Sequence, residues 1–578
     1  MTQQLSLQRF IEALSDEISQ LSDEELRRAV LGWAQHLPAA QRATFLSHFI
    51  PGNTPIEQSL IRQIDVESLL TSIAELHERL ERGDYFQGYG WDDEIYDERS
   101  FGDDSWADEL SELFSDTDAV FMGGDLQGAR TAYEQLFDIL DLGDEVGVFT
   151  GAEEPVDMLD QDISESQARY LRCVYELSAQ DQRATDFVQA WFSLSECSDQ
   201  LSLRMIDEAR PEQMPDFEAF LPGWIHELQV RLERQFTSRG RELLVEATLY
   251  HGGVEALGEL ARNATAAQAD LYLDWLVTVL EIGDQEQGIT VAREALSRLS
   301  QPGTTRARIA DELAELLVAT PEEALEARRQ AFRSDPKLHR LTSLYNAEQQ
   351  FADPTLSMCR ELEFFRNSPQ APKIPLISQL VMLLFAGEVQ AAMKLGLGSS
   401  TAGTVAGQAL MVLLPYLLVS GLDKPLALPQ RGSWLALLLS GTDGGEYVGL
   451  DLRSADLGRQ ISPSNESGEV RLASLLLQRI AGQNFSETQR AQHARTAETQ
   501  IEAVVQRIVG GQNRSSYELA ANLIYCRAEL GYLNGQPEEA EQFVATLAAK
   551  FPRHRAFHQE LVDSRRRSHV LNPDAANR

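Results

Sequence analysis

A chain of 578 residues with 43% hydrophobic and 24% charged side chains can fill large cores, and its 23 Phe and 14 Tyr exclude a mostly disordered polymer. Its 89 acidic and 50 basic residues leave a formal charge of −39. That balance disfavours nucleic-acid backbones and anionic lipid as partners unless a local basic patch overrides it. The cysteines Cys173, Cys197, Cys359 and Cys526 lie far apart with no CxxC, which excludes zinc-ribbon spacing and predicts buried thiols in a reducing compartment.

The N-terminus, MTQQLSLQRFIEALSDEI, lacks the basic leader and apolar segment of a signal peptide, so a cytoplasmic location is expected. Residues 1–82 read as an N-terminal helical region. Leu5, Phe10, Leu14 and Ile18 begin one stripe, Ser22 with Glu25 has capping-box spacing, and PGNTP interrupts at 51–55. Leu69, Ile73, Leu76 and Leu80 then recur at three- and four-residue spacing and predict a helix over 64–80.

Residues 83–121 form an acidic, aromatic-rich segment with thirteen acidic side chains against one arginine, Arg99. Plain acidic disorder normally lacks such aromatic content. The expectation is a poorly ordered loop whose aromatics dock on the body, or a short segment that engages a basic partner. Tyr89, Trp91, Asp92, Asp93, Tyr96, Phe101 and Trp106 are the candidate partner-binding residues. Oxygen ligation of a divalent ion fails the EF-hand rhythm over 92–103, where the sixth position is Asp97 instead of glycine and the twelfth, Asp103, is not glutamate. No metal site and no cofactor are expected.

Residues 122–163 hold a helical unit, GDLQGARTAYEQLFDIL at 124–140, and a second acidic linker. The first 160 residues carry 35 acidic and 9 basic side chains, a net of −26, so two-thirds of the excess negative charge lies there. Residues 164–371 are read as central helical repeats broken at PEQMP, LPG, HGG, GDQ and QPG. IGDQEQGITVAREALSRL at 282–299, and more loosely 319–344, share the arrangement of 124–140: a polar or Gly-containing turn, then an amphipathic helix with alanine at close-packing positions. Their order is irregular.

Residues 372–510 read as an apolar helical region with a Gly-rich loop insertion. Its runs IPLISQLVMLLFAG and ALMVLLPYLLVSG fall short of the roughly 20 apolar residues of a membrane span, so they predict buried helices and no membrane insertion. GLGSSTAG at 396–403 has no Walker lysine, no GxSxG occurs, and His554 and His558 are not in an HExxH frame. No catalytic residue stands out. An enzyme reading, a hydrolase or nucleotide-dependent activity, would need a noncontiguous site within 374–480.

Residues 511–578 complete the chain with a helix pair around a Gly-Gln-Pro turn and a basic tail containing Arg553, Arg555, Arg565, Arg566 and Arg567. Tyr517, Ala520, Ala521 and Ile524 are expected to interlock with Ala540, Phe543 and Leu547 as a repeat core. Ala520–Ala521, Tyr525, Gly535 and Glu539–Ala540 give this unit a resemblance to the tetratricopeptide-type repeat. The same stretch and the GDLQGA passage resemble the helical regions of bacterial SWIM zinc-finger proteins. The CxC-containing zinc module of that family is absent, so zinc and DNA binding are not implied.

The expected fold is therefore all-α, an irregular TPR-like α-solenoid of stacked helical hairpins. The expected function is a non-catalytic scaffold or adaptor that binds a protein or peptide partner through a helical-repeat groove. A self-associating structural protein, a homo-oligomer, is the further alternative, because stacked pairs expose terminal faces. Nucleic acid is not an expected partner.

Overall fold

The computed structural model describes residues 64–92, 97–144, 148–150, 154–194, 201–351, 353–398, 404–429, 431–443, 457 and 471–572. The chain divides into two compact units, Met1–Ala256 and Leu257–Arg578.

In the first unit, α1 (Val66–Glu81) begins where the Asp65 carboxylate accepts from the Ser68 amide, and it buries Leu69, Ile73, Leu76 and Leu80. Gly83, at φ 71°, then turns the chain through a conformation that side chains resist. Strands β1 (Phe86–Asp92) and β2 (Asp97–Gly102) follow as an antiparallel hairpin, with Tyr89 opposite Ser100 and Trp91 opposite Glu98. Helices α2 (Ser105–Met122) and α3 (Leu126–Leu140) pack on α1 and on each other.

The stretch expected as a poorly ordered loop is thus a hairpin running into an eighteen-residue helix. Its aromatic residues explain why. Trp106 is fully buried, lies 4.6 Å from the Phe149 ring between centroids, and donates from Nε1 to the Thr150 carbonyl at 3.1 Å. Tyr85, Phe114 and Phe121 are buried as well. Burying several large rings outweighs the mutual repulsion of carboxylates that stay at the surface.

Helices α4 (Ile163–Leu177), α5 (Arg183–Ser193), α6 (Leu203–Glu208) and α7 (Phe217–Arg234) continue the series around an aromatic core. Phe187 meets Trp224 edge-on at 4.9 Å and Phe220 at 5.4 Å. The buried Arg172 guanidinium donates to the carbonyls of Ile206, Asp207 and Glu212, which satisfies the C-terminal end of α6. Helix α8 (Ser238–Arg262) is broken at Gly252 and Gly253, where the backbone leaves helical geometry.

The second unit opens as a plain series. α9 (Asp270–Glu281), α10 (Gln285–Arg298), α11 (Thr304–Leu316), α12 (Pro321–Ser334), α13 (Leu338–Glu348) and α14 (Pro354–Asn367) each pack against the next. Ala292, Ala295, Ala307, Ala310 and Ala331 are buried at these crossings, where small side chains let helices approach. From α15 onward the packing is no longer strictly sequential. α15 (Leu376–Phe385), α16 (Val389–Gly398), α17 (Thr404–Ser420), α18 (Trp434–Ser440), α19 (Leu472–Ala481) and α20 (Glu487–Val505) share one apolar core with the terminal helices.

α21 (Tyr517–Leu533) lies among α17, α18, α20, α22 (Pro537–Ala549) and α23 (Arg555–Arg567). The C-terminal unit is therefore built from three helices, because α23 packs on α21 as closely as α22 does. Among the described residues the architecture is all-α apart from the hairpin, an irregular solenoid of stacked helical hairpins, and within the second unit the packing is serial first and then gathered around α17 and α21. Among the described residues no helix is long and apolar enough to cross a membrane.

Candidate partner-binding surfaces

The residues singled out around the acidic segment separate into distinct environments. Trp106 belongs to the core, where its indole is satisfied by Thr150. Phe101 is half-buried, with the Arg99 guanidinium 4.9 Å above its ring. Tyr89 and Trp91 stand exposed, at 54% and 57% of their full surface. Their i, i+2 spacing on β1 puts them on one face of the hairpin. Asp93 and Tyr96 lie outside the described residues, as does the side chain of Asp92. The neighbouring Tyr85 hydroxyl donates to Glu109, and burial pushes it up to about 12.

A second surface is a groove of about 440 Å³ over α10, α11 and α12. Leu296, Leu313, Leu317 and Ala327 contribute apolar surface, while Arg293, Arg306, Glu323, Glu326 and Gln330 supply polar groups. Arg306 is fixed by donating to the Leu299 carbonyl at 2.6 Å and to the Leu296 carbonyl, which occupies the unpaired end of α10. Arg293 meets Glu323 across the groove at 2.6 Å. Sequence reasoning did not find this groove, since its lining comes from three helices whose apolar stripes each look like ordinary core.

Of the residues proposed as repeat core, Tyr517, Ala520, Ala521, Ile524, Ala540 and Leu547 are buried. Phe543 is half-buried, with Arg527 above its ring at 5.7 Å. The basic tail is partly neutralised in place. Arg565 makes a two-pronged bond to Glu541, and Arg567 reaches Glu518 at 2.8 Å and lies 4.8 Å over the Trp434 ring. His554 meets the Tyr517 hydroxyl, and His558 donates from Nε2 to the Phe551 carbonyl.

Region 374–480, where a noncontiguous active site was considered, is in its described part a solid apolar core of α15, α17, α18 and α19. Residues 399–403, in the Gly-rich run, and most of 444–470 lie outside the described residues. The buried polar groups of the core hold helices together. Glu529 on α21 is fully buried and accepts from the Ser433 and Ser568 hydroxyls and from the Trp434 and Leu435 amides at 2.6–3.0 Å. Burial pushes its carboxyl above the ordinary range while those four donors oppose the shift. Three of the donors, Ser433, Trp434 and Leu435, sit at the start of α18 and the fourth, Ser568, follows α23, so Glu529 caps a neighbouring helix from across the core and ties in the end of α23.

Glu361 is likewise buried and binds both Arg329 and Arg333, with Arg329 also bonded to Glu348. Sequence reasoning missed both glutamates. For Glu529 the signal was present: a lone acid inside YCRAELGYL with apolar residues on every side of the helix. Among the described residues no three His, Cys, Asp or Glu side chains group as metal ligands.

No protein-family model matches the chain, and no curated protein matches it. Among solved structures it is similar at 14% identity to Naa15/Naa10 bound to HypK-THB, over 88% of this chain and 67% of that one, with a TM-score of 0.21. The pentatricopeptide repeat protein PPR10 from maize matches over 97% and 72%, at 14% identity and a TM-score of 0.23. A circular tandem repeat protein with novel repeat topology and enhanced subunit contact surfaces matches over 89% and 93%, at 14% identity and a TM-score of 0.15. At such scores no site is transferable from them. The helical-repeat class rests on this chain's own serial packing.

Proposed function

We propose that the chain is a non-catalytic scaffold that holds a protein or peptide partner in the groove of α10–α12. The observation that carries this reading is the groove itself: a floor formed where the buried Leu313, Leu317 and Ala327 come to the surface of the stack, under a mixed-charge rim of Arg293, Arg306, Glu323 and Glu326. Helical repeats keep such a face variable while the alanine crossings beneath it hold the stack together. Val318, next in the chain to the groove-lining Leu317, is 77% exposed.

Within this reading the terminal α21–α22 hairpin is a tetratricopeptide-type unit, and any kinship with SWIM zinc-finger proteins concerns helical scaffold alone. The proposed compartment is the cytoplasm, supported by the buried thiols of Cys173 and Cys526. The test is a photo-crosslinking amino acid placed at Val318 and at Glu326, with Arg566 on α23 as control position. One discrete adduct of the same partner from both groove positions, and none from the control, is expected. Adducts no more specific than those of the control would end the scaffold reading.

A further inference from the structure

We propose that the Tyr89–Trp91 face of the β-hairpin is a docking surface for an extended, arginine-bearing segment of a protein partner. Its biological sense rests on the scaffold reading; its chemistry stands on the hairpin.

Two large aromatic side chains project from the same face of β1, both more than half exposed. A folded chain gains nothing for its own core by holding indole and phenol rings in water. Around them the charge is one-sided: the stretch 83–121 sets thirteen carboxylates against Arg99, and the whole unit Met1–Ala256 carries 52 acidic and 18 basic residues, a net of −34. An incoming cation is attracted before contact and meets π-faces on arrival.

The hairpin already displays this chemistry on its opposite face. There the β1 positions are Gly88 and Gly90, and Arg99 from β2 lies over the Phe101 ring at 4.9 Å. Arginine is the better occupant for the exposed pair, since its planar, weakly hydrated guanidinium stacks on rings and the acidic sequence of 83–121 is rich in the carboxylates it prefers as hydrogen-bond acceptors. The chain's own compact basic cluster is an unsuitable occupant, because Arg565 and Arg567 are engaged by Glu541 and Glu518. Stacked nucleic-acid bases would use the rings equally well, but their phosphates would meet the same carboxylates.

The test is fluorescence anisotropy of the full chain with three labelled probes at physiological ionic strength: an alternating Gly-Arg peptide, its Gly-Lys counterpart of equal charge, and oligouridylate. The Gly-Arg peptide is expected to bind several-fold more tightly than Gly-Lys, and oligouridylate more weakly than either. The double variant Tyr89→Ala with Trp91→Ala is expected to lower Gly-Arg affinity about tenfold and to erase the Arg/Lys preference, while Trp91→Phe retains most of it. Both side chains are exposed, so far-UV circular dichroism should confirm an unchanged fold.

Equal binding of the two peptides, unmoved by the double variant, would reduce the effect to diffuse charge and overturn the proposal. Tighter binding of oligouridylate would overturn it in favour of nucleic acid. Self-association that the double variant abolishes and the peptide displaces would reassign the face to a second copy of the chain. Groove adducts at positions 318 and 326 are read separately: their presence alongside a failed peptide test sinks the hairpin proposal alone, and the converse result sinks only the groove.

Discussion

His493 shows how much a single buried side chain settles. It is 2% exposed on α20, and its Nδ1 lies 2.9 Å from the Ser420 hydroxyl, which itself donates to the Leu417 carbonyl at 2.9 Å. Which ring nitrogen carries the proton depends on the tautomer, and in either one the hydroxyl–Nδ1 contact links the two helices. This serine–histidine pair is therefore a strut between α17 and α20. Burial holds the imidazole below its ordinary value of 6.5. Above that value both folded and unfolded chains are neutral and the full stability is present. As pH falls through it, the unfolded chain takes a proton that the folded chain refuses, at a cost of up to about 1.4 kcal/mol per pH unit. The stability advantage of the wild type over His493→Gln, read from urea midpoints, should accordingly shrink between about pH 7.5 and pH 5. His339 shifts the same way but is common to both proteins, so it cancels. A gap that stays constant with pH would contradict the assignment. At this scale the sequence is least readable. Tyr89, Trp91 and Trp106 sit in one acidic run, yet only the boundary between β2 and α2 separates exposed rings from a core tryptophan.

At the scale of elements, the close approach of α21 and α22 depends on Gly531. A methyl group there would lie 2.9 Å from the Ala540 Cβ and 3.2 Å from the Gln536 carbonyl oxygen. Gly535, at φ 74°, makes the turn between the two helices. Replacing Gly531 by alanine gains about 1 kcal/mol of helix propensity. It also forces the two helices apart, and overpacking of this kind costs roughly 1–3 kcal/mol. A net loss of stability is expected, and Ala540→Gly should partly rescue it, with a coupling of at least about 0.5 kcal/mol in a double-mutant cycle. Strict additivity would show that the contact is not what limits the crossing. Elements with one apolar stripe, such as α1 and α10, were readable from spacing alone because a single buried face imposes the period of 3.6. The hairpin was not, since its glycines and acids read as loop, and the contact that anchors the end of β2, the Thr150 hydroxyl donating to the Asp103 carbonyl, comes from far along the chain. Nor was the third terminal helix: α21 is covered on all sides, so its sequence carries no stripe from which to count neighbours. The groove was hidden for a related reason, as it exists only where three stripes meet.

Across the whole molecule, charge and fold are partitioned together. Met1–Ala256 holds a net −34, while Leu257–Arg578, with 37 acidic and 32 basic residues, holds −5. Self-repulsion must then weaken the first unit far more than the second. Both units hold ion pairs, Arg169 with Asp118 and Arg172 with Glu176 in the first, but in the second they are set against little net charge: Arg329 and Arg333 clasp Glu361, Arg340 meets Asp311 and Asp335, and Arg527 meets Glu498. Salt acts on these in opposite directions, since it screens repulsion among exposed carboxylates and also weakens those ion pairs that reach solvent. Raising ionic strength from about 0.01 M to about 0.15 M shortens the Debye length from about 30 Å to about 8 Å, less than the span of a few helices. Amide hydrogen exchange read by segment should therefore show α2–α4 gaining protection with salt while α10–α14 gains little or loses some. Equal gains in both segments would mean that net charge is irrelevant to their stabilities, and the electrostatic attraction invoked for an arginine-bearing partner would lose its source.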